Sequence, residues 1–156
     1  MGWPLHRKFL GFSFLNRKGP KRRIAPQALA RMKQRVREIT QRSRGRSLEQ
    51  IVEELSTYLR GRRGYFGMCE TPTTLRDADG WIRRRLRSLI WKQWRHSSKR
   101  FAELRQRGVG RELALQTVGS SHGPWRPSNS PALVIAIGND FLKSLGLAYL
   151  YEVKTT

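Results

Sequence analysis

The residues with the clearest capacity for chemistry stand together in GWIRRRLRSLIWKQWRHSSKR, at positions 80–100. Three tryptophans lie there among arginines and lysines, and no acidic residue interrupts them. Guanidinium and ammonium groups bind phosphates, and indole rings offer faces on which unpaired bases stack. The combination favours a partner that is a polyanion with stackable faces.

Each residue type in this stretch leaves an alternative open. Trp91 and Trp94 are three positions apart and therefore neighbours on a helix, so core or a helix–helix seam is favoured over base stacking, as it is for Trp81. Phosphate contact is favoured for the basic residues as a group, although a charge run alone is usually a solvated face. Trp125 is favoured as an anchor of its loop on the core, and stacking together with Arg126 is the alternative.

The candidate nucleic-acid-binding residues extend along the whole chain. They are Lys21, Arg22, Arg23, Arg60, Arg62, Arg63, Arg83, Arg84, Arg87, Lys92, Arg95 and Arg126. A second set, Phe9, Leu10, Gly11 and Phe12, forms an aromatic and apolar segment where the glycine lets another backbone approach closely. Ordinary strand core is the alternative for that segment.

The overall charge indicates the same class of partner. The 156 residues include 32 Lys+Arg and 11 Asp+Glu, which gives a formal net charge of +21. A chain this basic repels itself unless a polyanion neutralises it. No apolar run reaches the length of a membrane span, and the first residues lack a secretory pattern. We therefore expect a cytoplasmic protein that binds nucleic acid and no membrane.

Catalytic and metal-binding patterns are weak. Two-metal nucleotidyl transfer needs clustered carboxylates, but Asp77 and Asp79, the closest aspartates, are two positions apart and face different sides of a helix. Charge balance and capping at a helix start are favoured for them. The three histidines are isolated, Cys69 is the single cysteine, and no phosphate-binding glycine loop is present. We expect no catalytic residue, no metal and no cofactor.

The hydrophobic pattern predicts a mainly α chain that begins with a short β-ribbon. Residues 8–15 and 21–25 have strand composition, and turn-forming residues at 16–20 connect them. A two-stranded ribbon is marginal alone and must pack on something.

Apolar residues at three- and four-residue steps predict a three-helix bundle after the ribbon. The first helix starts at Pro26, which suits a first helical turn. The second follows a capping box made by Ser47 and Gln50. The third is predicted to start at Thr74, because Thr74 and Asp77 have the spacing of an N-terminal capping pattern.

Glycine spacing divides the remainder of the chain. Residues 60–67, RGRRGYFG, are expected to form a loop where backbone amides also reach phosphate; a flexible turn with incidental charge is the alternative. Short helices are expected at 98–107, closed by Gly108, and at 110–118. A loop at 119–131 precedes one or two short helices that pack back on the domain. This gives a ribbon at 1–25, a three-helix domain at 26–96 and a helical extension at 97–156.

Five motifs in family order resemble the C-terminal part of group II intron reverse transcriptases. KFLGFSF at 8–14 resembles the primer grip at the end of the palm, and RIAPQALARMKQRVREIT at 23–40 resembles the first thumb helix. LRGRRGYFG at 59–67 resembles the Leu-Arg-Gly-Trp-x-x-Tyr-Phe element of the maturase-specific domain, called domain X, and DADGWIRRRLRSLIWKQWR at 77–95 resembles the third thumb helix. WRPSNSPAL at 125–133 and FLKSLGLAYL at 141–150 resemble the region beyond the thumb.

The resemblance implies a mainly three-helix thumb that grips a primer–template duplex and binds intron RNA. In full-length proteins of the family this promotes splicing and target-primed reverse transcription. The polymerase's paired aspartates, the fingers and most of the palm have no counterpart here, so the chain is not expected to be a reverse transcriptase by itself. Arg62 stands where the family has a tryptophan, which removes an apolar anchor.

Three hypotheses about function follow. The first is an RNA-binding maturase thumb that assists splicing and catalyses nothing alone. The second is a vestigial or split fragment that works only when docked on a separately encoded palm and fingers chain, or not at all. The third is a generic basic nucleic-acid-binding protein, although no zinc finger, basic zipper or helix-turn-helix is evident.

Overall fold

A computed structural model of the chain describes residues 12–14, 22–41, 45–66, 72–120 and 123–151. These ranges are mainly helical, so the mainly α part of the predicted fold class is confirmed. The helices are α1 (Pro26–Ile39), α2 (Leu48–Phe66), α3 (Pro72–Gln93), α4 (Ser97–Gln106), α5 (Arg111–Val118), α6 (Pro131–Ala136) and α7 (Asn139–Ser144). A 3₁₀ turn at Pro127–Asn129 lies between α5 and α6.

Two three-residue strands precede the helices. β1 (Phe12–Phe14) pairs antiparallel with β2 (Arg22–Ile24), and Phe12 lies opposite Ile24. The other residues of the predicted ribbon, including its connection, lie outside the described residues. The ribbon over 8–15 and 21–25 is therefore not supported as a unit, and its primer-grip role stays a prediction.

Helices α1 and α2 begin where the sequence predicts. Pro26 occupies the first turn of α1, where its missing N–H is not needed. At α2, the Ser47 N–H donates to Gln50 Oε1 at 3.0 Å, and the Gln50 N–H donates to Ser47 Oγ at 3.2 Å. This reciprocal pair is the predicted capping box, and it satisfies two amide groups that the helix itself leaves unbonded.

We expect Ser47→Ala to lower the free energy of unfolding by about 1 kcal/mol, the usual loss when an N-cap hydroxyl is removed. Urea titration followed by circular dichroism measures the change. Ser98→Ala is the control, because this hydroxyl is exposed in α4 and makes no hydrogen bond to any described residue. Equal effects of the two substitutions would show that the capping box does not stabilise α2.

Two helix boundaries differ from the predictions. Residues 60–66 continue α2 rather than forming a glycine-rich loop. The burial of Leu59 and Phe66 stabilises the helix by more than the low helix propensity of Gly61 and Gly64 destabilises it. Helix α3 begins at Pro72, ahead of the predicted cap, because proline is accommodated in a first turn.

The first three helices share one apolar core. Their buried residues include Met32, Val36 and Ile39 of α1, Ile51, Val52, Leu55 and Leu59 of α2, and Leu75, Ala78, Ile82, Leu86, Leu89 and Ile90 of α3. The predicted apolar stripe of α3 is buried throughout, and Leu86 is 0% exposed. The bundle therefore leaves most polar positions of α3 at or near its surface, whereas Asp79 and Arg87 are buried.

The C-terminal segments pack on the bundle, as predicted for the tail. The same core continues through Leu133, Ile137 and Leu142. The Ser56 hydroxyl of α2 donates to the carbonyl of Gly146 at 2.8 Å and accepts from the Ala148 N–H at 3.1 Å. The predicted helices at 98–107 and 110–118 correspond to α4 and α5. The division of the chain at residue 96 stays a prediction.

Candidate nucleic-acid interface

An open groove of about 1120 Å³ lies where the end of α1, the start of α2, the second half of α3 and the start of α4 meet. Five cationic residues line it: Arg46, Arg85, Lys92, Arg95 and Arg100. No carboxylate lines the groove within the described part of the chain. We call these five residues the basic groove.

Three groove arginines are held by neutral oxygen atoms of the protein. Arg85 Nε donates to Thr40 Oγ1 at 2.9 Å, and Arg100 Nε donates to the carbonyl of Trp91 at 3.1 Å. Arg46 donates to the carbonyl of Ile39 at 2.8 Å and forms an ion pair with Glu54. These bonds fix the guanidinium groups before any ligand binds, while most of their positive charge is left uncompensated.

Burial changes the electrostatics of two of these arginines. Burial, followed by the charge of Arg37, lowers the pKa of Arg85, and burial lowers the pKa of Arg100. Arginine nevertheless remains protonated at physiological pH. A partly desolvated cation without an acidic neighbour is stabilised when an anion binds beside it, so the groove is suited to phosphate.

Lys92 and Arg95 complete the groove on its solvent side. Lys92 is half-buried in the last turn of α3, and Arg95 is exposed just beyond it. Neither forms an ion pair with a carboxylate among the residues whose structure is described. Both were predicted as binding residues, and both have charges available to a ligand.

The family of the chain follows from its sequence. The model of the family "Group II intron, maturase-specific domain" matches residues 29–108, from α1 to the end of α4. The chain belongs to this family. All five basic-groove residues fall inside the matched segment. No match is found among the curated proteins.

In this maturase-specific domain the other predicted cations of α3 contact the protein itself. Arg84 Nε donates to Ser128 Oγ at 3.1 Å, and its Nη2 donates to the carbonyl of Trp125 at 3.0 Å. Arg87 is 7% exposed and donates to the carbonyl of Ser128 at 2.9 Å. Arg83 lies over the Tyr149 ring, 5.6 Å from its centroid. The α3 cations therefore do not form one continuous track.

The predicted cations of α2 differ in exposure and in what they contact. Arg60 and Arg62 are exposed, and Arg62 lies 5.4 Å from the ring centroid of Tyr58. Arg63 Nε donates to the carbonyl of Tyr149 at 3.0 Å and so holds the C-terminal segment. Because these residues are helical, the prediction that backbone amides of a loop at 60–67 bind phosphate is wrong.

The remaining candidates lie at the two ends of the sequence. Arg126 is exposed beside the 3₁₀ turn. Arg22 and Arg23 belong to β2, but their side chains, like Lys21 and the segment Phe9–Gly11, lie outside what is described. Phe12 is described only through the backbone of β1. These assignments stay predictions.

The tryptophans divide as the sequence predicts for two of them. Trp91 is 2% exposed and Trp94 is 7% exposed, which confirms the core interpretation. Trp81 is half-buried against the core, with the cationic groups of Lys33 and Arg37 within 5.6 Å of its ring centroid. Charged side chains therefore cover the part of Trp81 that the core leaves open.

Sequence reasoning missed Arg46, Arg85 and Arg100 of the basic groove. A signal was available for Arg85, because it lies seven positions before Lys92 and the two residues therefore share one face of α3. Arg46 and Arg100 come from other elements, so only the packing of the bundle brings them to that face.

The predicted helix-start role of Asp77 and Asp79 is wrong, because α3 begins at Pro72 and no acidic residue lies in its first turn. Asp79 instead holds the C-terminal segment. Its carboxylate is 4% exposed and accepts the N–H groups of Leu150 at 2.8 Å and Tyr151 at 2.9 Å. Burial raises the pKa of Asp79, against the effect of these two hydrogen bonds. The described residues hold no group of three or more His, Cys, Asp and Glu that could bind a metal.

None of the helices in the described ranges combines the length and the apolar character that crossing a membrane requires.

Proposed function

We propose that this chain is an RNA-binding thumb domain of the maturase type, which assists group II intron splicing and mobility by holding RNA phosphates in the basic groove. Membership in the maturase-specific family implies a role in group II intron splicing. The observation that carries the proposal is a groove with five cationic residues and no carboxylate along its described lining.

The groove fits a phosphate backbone better than a single small anion. Its cations come from α3, α4 and the segments before α2 and after α3, so they are spread over an open surface rather than gathered at one point. Side chains cannot read the deep major groove of an RNA helix, and RNA is recognised largely through phosphates, 2′-hydroxyls and unpaired bases. Arg85 and Arg100, which are fixed by hydrogen bonds, set the positions of the phosphates. Lys92 and Arg95 adjust their side chains to the phosphates.

The proposed role is binding without catalysis. The chain takes no cofactor or metal, and it supplies no polymerase active site of its own. Polymerase chemistry, where an intron's mobility requires it, falls to a separately encoded palm and fingers chain in the cytoplasm. The predicted primer-grip segment at 8–14 is the part of the sequence that would meet such a chain.

Filter binding tests the proposal. The purified chain is titrated against a group II intron transcript and against an unstructured RNA of the same length, across a series of monovalent salt concentrations. We expect tighter binding to the intron that persists at moderate salt, because folded RNA fixes phosphates in the spacing that fixed cations require. The affinity for both RNAs falls as salt rises, since each neutralised phosphate releases counterions.

Equal affinity for the two RNAs, lost steeply with salt, would contradict the proposal. Binding would then depend on charge alone, and the chain would be a vestigial fragment or a generic basic protein. A basic control of similar charge without a fold, such as a polyarginine peptide, gives the salt dependence of purely electrostatic binding for comparison.

A further inference from the structure

Trp125 is an exposed aromatic residue whose position is fixed by polar bonds. It is 41% exposed, in the segment before the 3₁₀ turn, so the predicted role of this side chain as an anchor on the core is wrong. The guanidinium of Arg84 lies over its ring, 4.1 Å from the ring centroid, and donates to the Trp125 carbonyl at 3.0 Å. Ser128 Oγ donates to the same carbonyl. The ring is thus held from one side by Arg84, while two-fifths of the residue is open to solvent.

A cavity of about 360 Å³ has Trp125 among its lining residues. Pro124 and Trp125 form one wall, and Arg85, Ser88 and Lys92 of α3 form the other. Its volume falls at the lower end of the range for small-molecule sites. Because Arg85 and Lys92 also line the basic groove, the cavity adjoins the groove.

We propose that this cavity binds one unpaired nucleotide of an RNA strand, with the base stacked on Trp125 and its phosphate beside Lys92 and Arg85. The proposal rests on the proposed function, and it names the form of RNA that this end of the groove takes. Within a helix the base faces are covered by neighbouring base pairs, so an indole stacks on a base only where the base is unpaired.

The chemistry of the walls favours a nucleotide over an apolar protein segment. An apolar ligand would cover Trp125 but would leave Arg85 and Lys92 desolvated without an anion. A nucleotide supplies both a face that stacks on Trp125 and a negative charge for Arg85 and Lys92, which line the same cavity. Arg84 also favours stacking on Trp125. Because Arg84 already restricts the Trp125 side chain, this side chain loses little conformational entropy when a base binds.

The test compares two oligonucleotides by fluorescence anisotropy at fixed low salt. One is an unstructured RNA of about 12 nucleotides, within the range of single-strand site sizes. The other is an abasic oligonucleotide of the same length and charge. We expect the parent chain to bind the first more tightly, and Trp125→Ala to reduce that binding about tenfold, the effect of removing a stacked aromatic residue. Binding of the abasic oligonucleotide stays unchanged.

Two further variants make the result decisive. Trp125→Phe keeps an aromatic face and should retain most of the preference for bases. Leu115→Ala removes an exposed apolar side chain elsewhere and should change neither affinity. Circular dichroism melting of each variant confirms that it is folded. If Trp125→Ala weakens both oligonucleotides equally, or neither of them, the nucleotide site is wrong.

The failure of this site is distinguishable from the failure of the proposed function. If only the stacking is wrong, intron binding still depends on Lys92 and Arg95 while Trp125→Ala has no effect on base preference. If the proposed function is wrong, the chain shows no preference for the intron transcript in filter binding, whatever residue stands at position 125.

Discussion

Replacing both Lys92 and Arg95 with glutamate is expected to lower the affinity for a group II intron transcript about 100-fold at moderate salt. Both residues line the groove, and neither forms an ion pair with a carboxylate among the described residues. A loss of about 1.4 kcal/mol at each position corresponds to tenfold per position. Reversal also places carboxylates where phosphates would lie, so repulsion adds to the lost attraction.

The salt dependence of binding provides a second measurement on the same variant. Two lost phosphate contacts reduce the slope of log affinity against log salt by about 1.4 to 1.8. A drop in affinity with an unchanged slope would show that Lys92 and Arg95 do not contact phosphate, and that the substitution acts indirectly.

A matched double variant separates the groove from the general charge of the chain. Arg111→Glu with Lys143→Glu makes the same change in net charge at exposed positions of α5 and α7 that lie outside the groove. We expect a change of only a few-fold there, through the weaker long-range field. Equal losses in the two double variants would contradict a localised interface.

The three-helix bundle could be predicted because its sequence signals are local and agree with one another. The apolar steps of α3, the proline at the start of α1 and the Ser47–Gln50 capping box all depend on residues within a few positions. The buried stripe of α3, from Leu75 to Ile90, is then required by the packing of any bundle with that pattern. Agreement between such levels is what makes a sequence specify one fold.

The features that were predicted wrongly depend on distant parts of the chain. Gly61 and Gly64 favour a loop locally, and only the burial of Phe66 against other helices keeps them in α2. Asp79 has an ordinary helix-start position in the sequence, and its partners are 71 and 72 residues away. No local pattern contains such information.

In the candidate interface, local sequence signals and contacts with distant parts of the chain both act on one helix, α3. Sequence spacing assigns all the arginines of α3 to its polar sides, but it cannot say which side faces the C-terminal segment. The structure uses Arg84 and Arg87 to hold Trp125 and Ser128, and it leaves Lys92 to the groove. Charge composition therefore identifies the class of ligand, whereas the docking of a later segment determines which cations are available to it.

Asp79→Ala is expected to lower the free energy of unfolding by about 3 kcal/mol. The substitution leaves the N–H groups of Leu150 and Tyr151 without their acceptor, and hydrogen bonds to a charged group contribute about 1.5 to 3 kcal/mol each. Domains of this size are stable by about 5 to 15 kcal/mol, so the loss is large. Urea unfolding measures it, and hydrogen exchange should show faster exchange of the amides of residues 150 and 151.

Asp77→Ala is the control for this prediction, since Asp77 is exposed on the same helix and has no hydrogen-bond partner among the described residues. Its effect should stay within about 0.5 kcal/mol, as for other surface substitutions. A similar loss in both variants would show that the carboxylate acts through the charge of α3 and does not hold the C-terminal segment.

The pH dependence of the difference between the parent chain and Asp79→Ala gives an independent check on the buried carboxyl group. Burial raises the pKa of Asp79 above its ordinary value in the folded chain. The folded state then binds more protons than the unfolded state between those two pKa values, so the stability that Asp79 contributes falls as pH rises through that window. The free-energy difference between the two proteins should therefore narrow with rising pH and become constant above the folded pKa. A difference that widens with pH would mean that the two amide bonds outweigh the desolvation of the carboxylate.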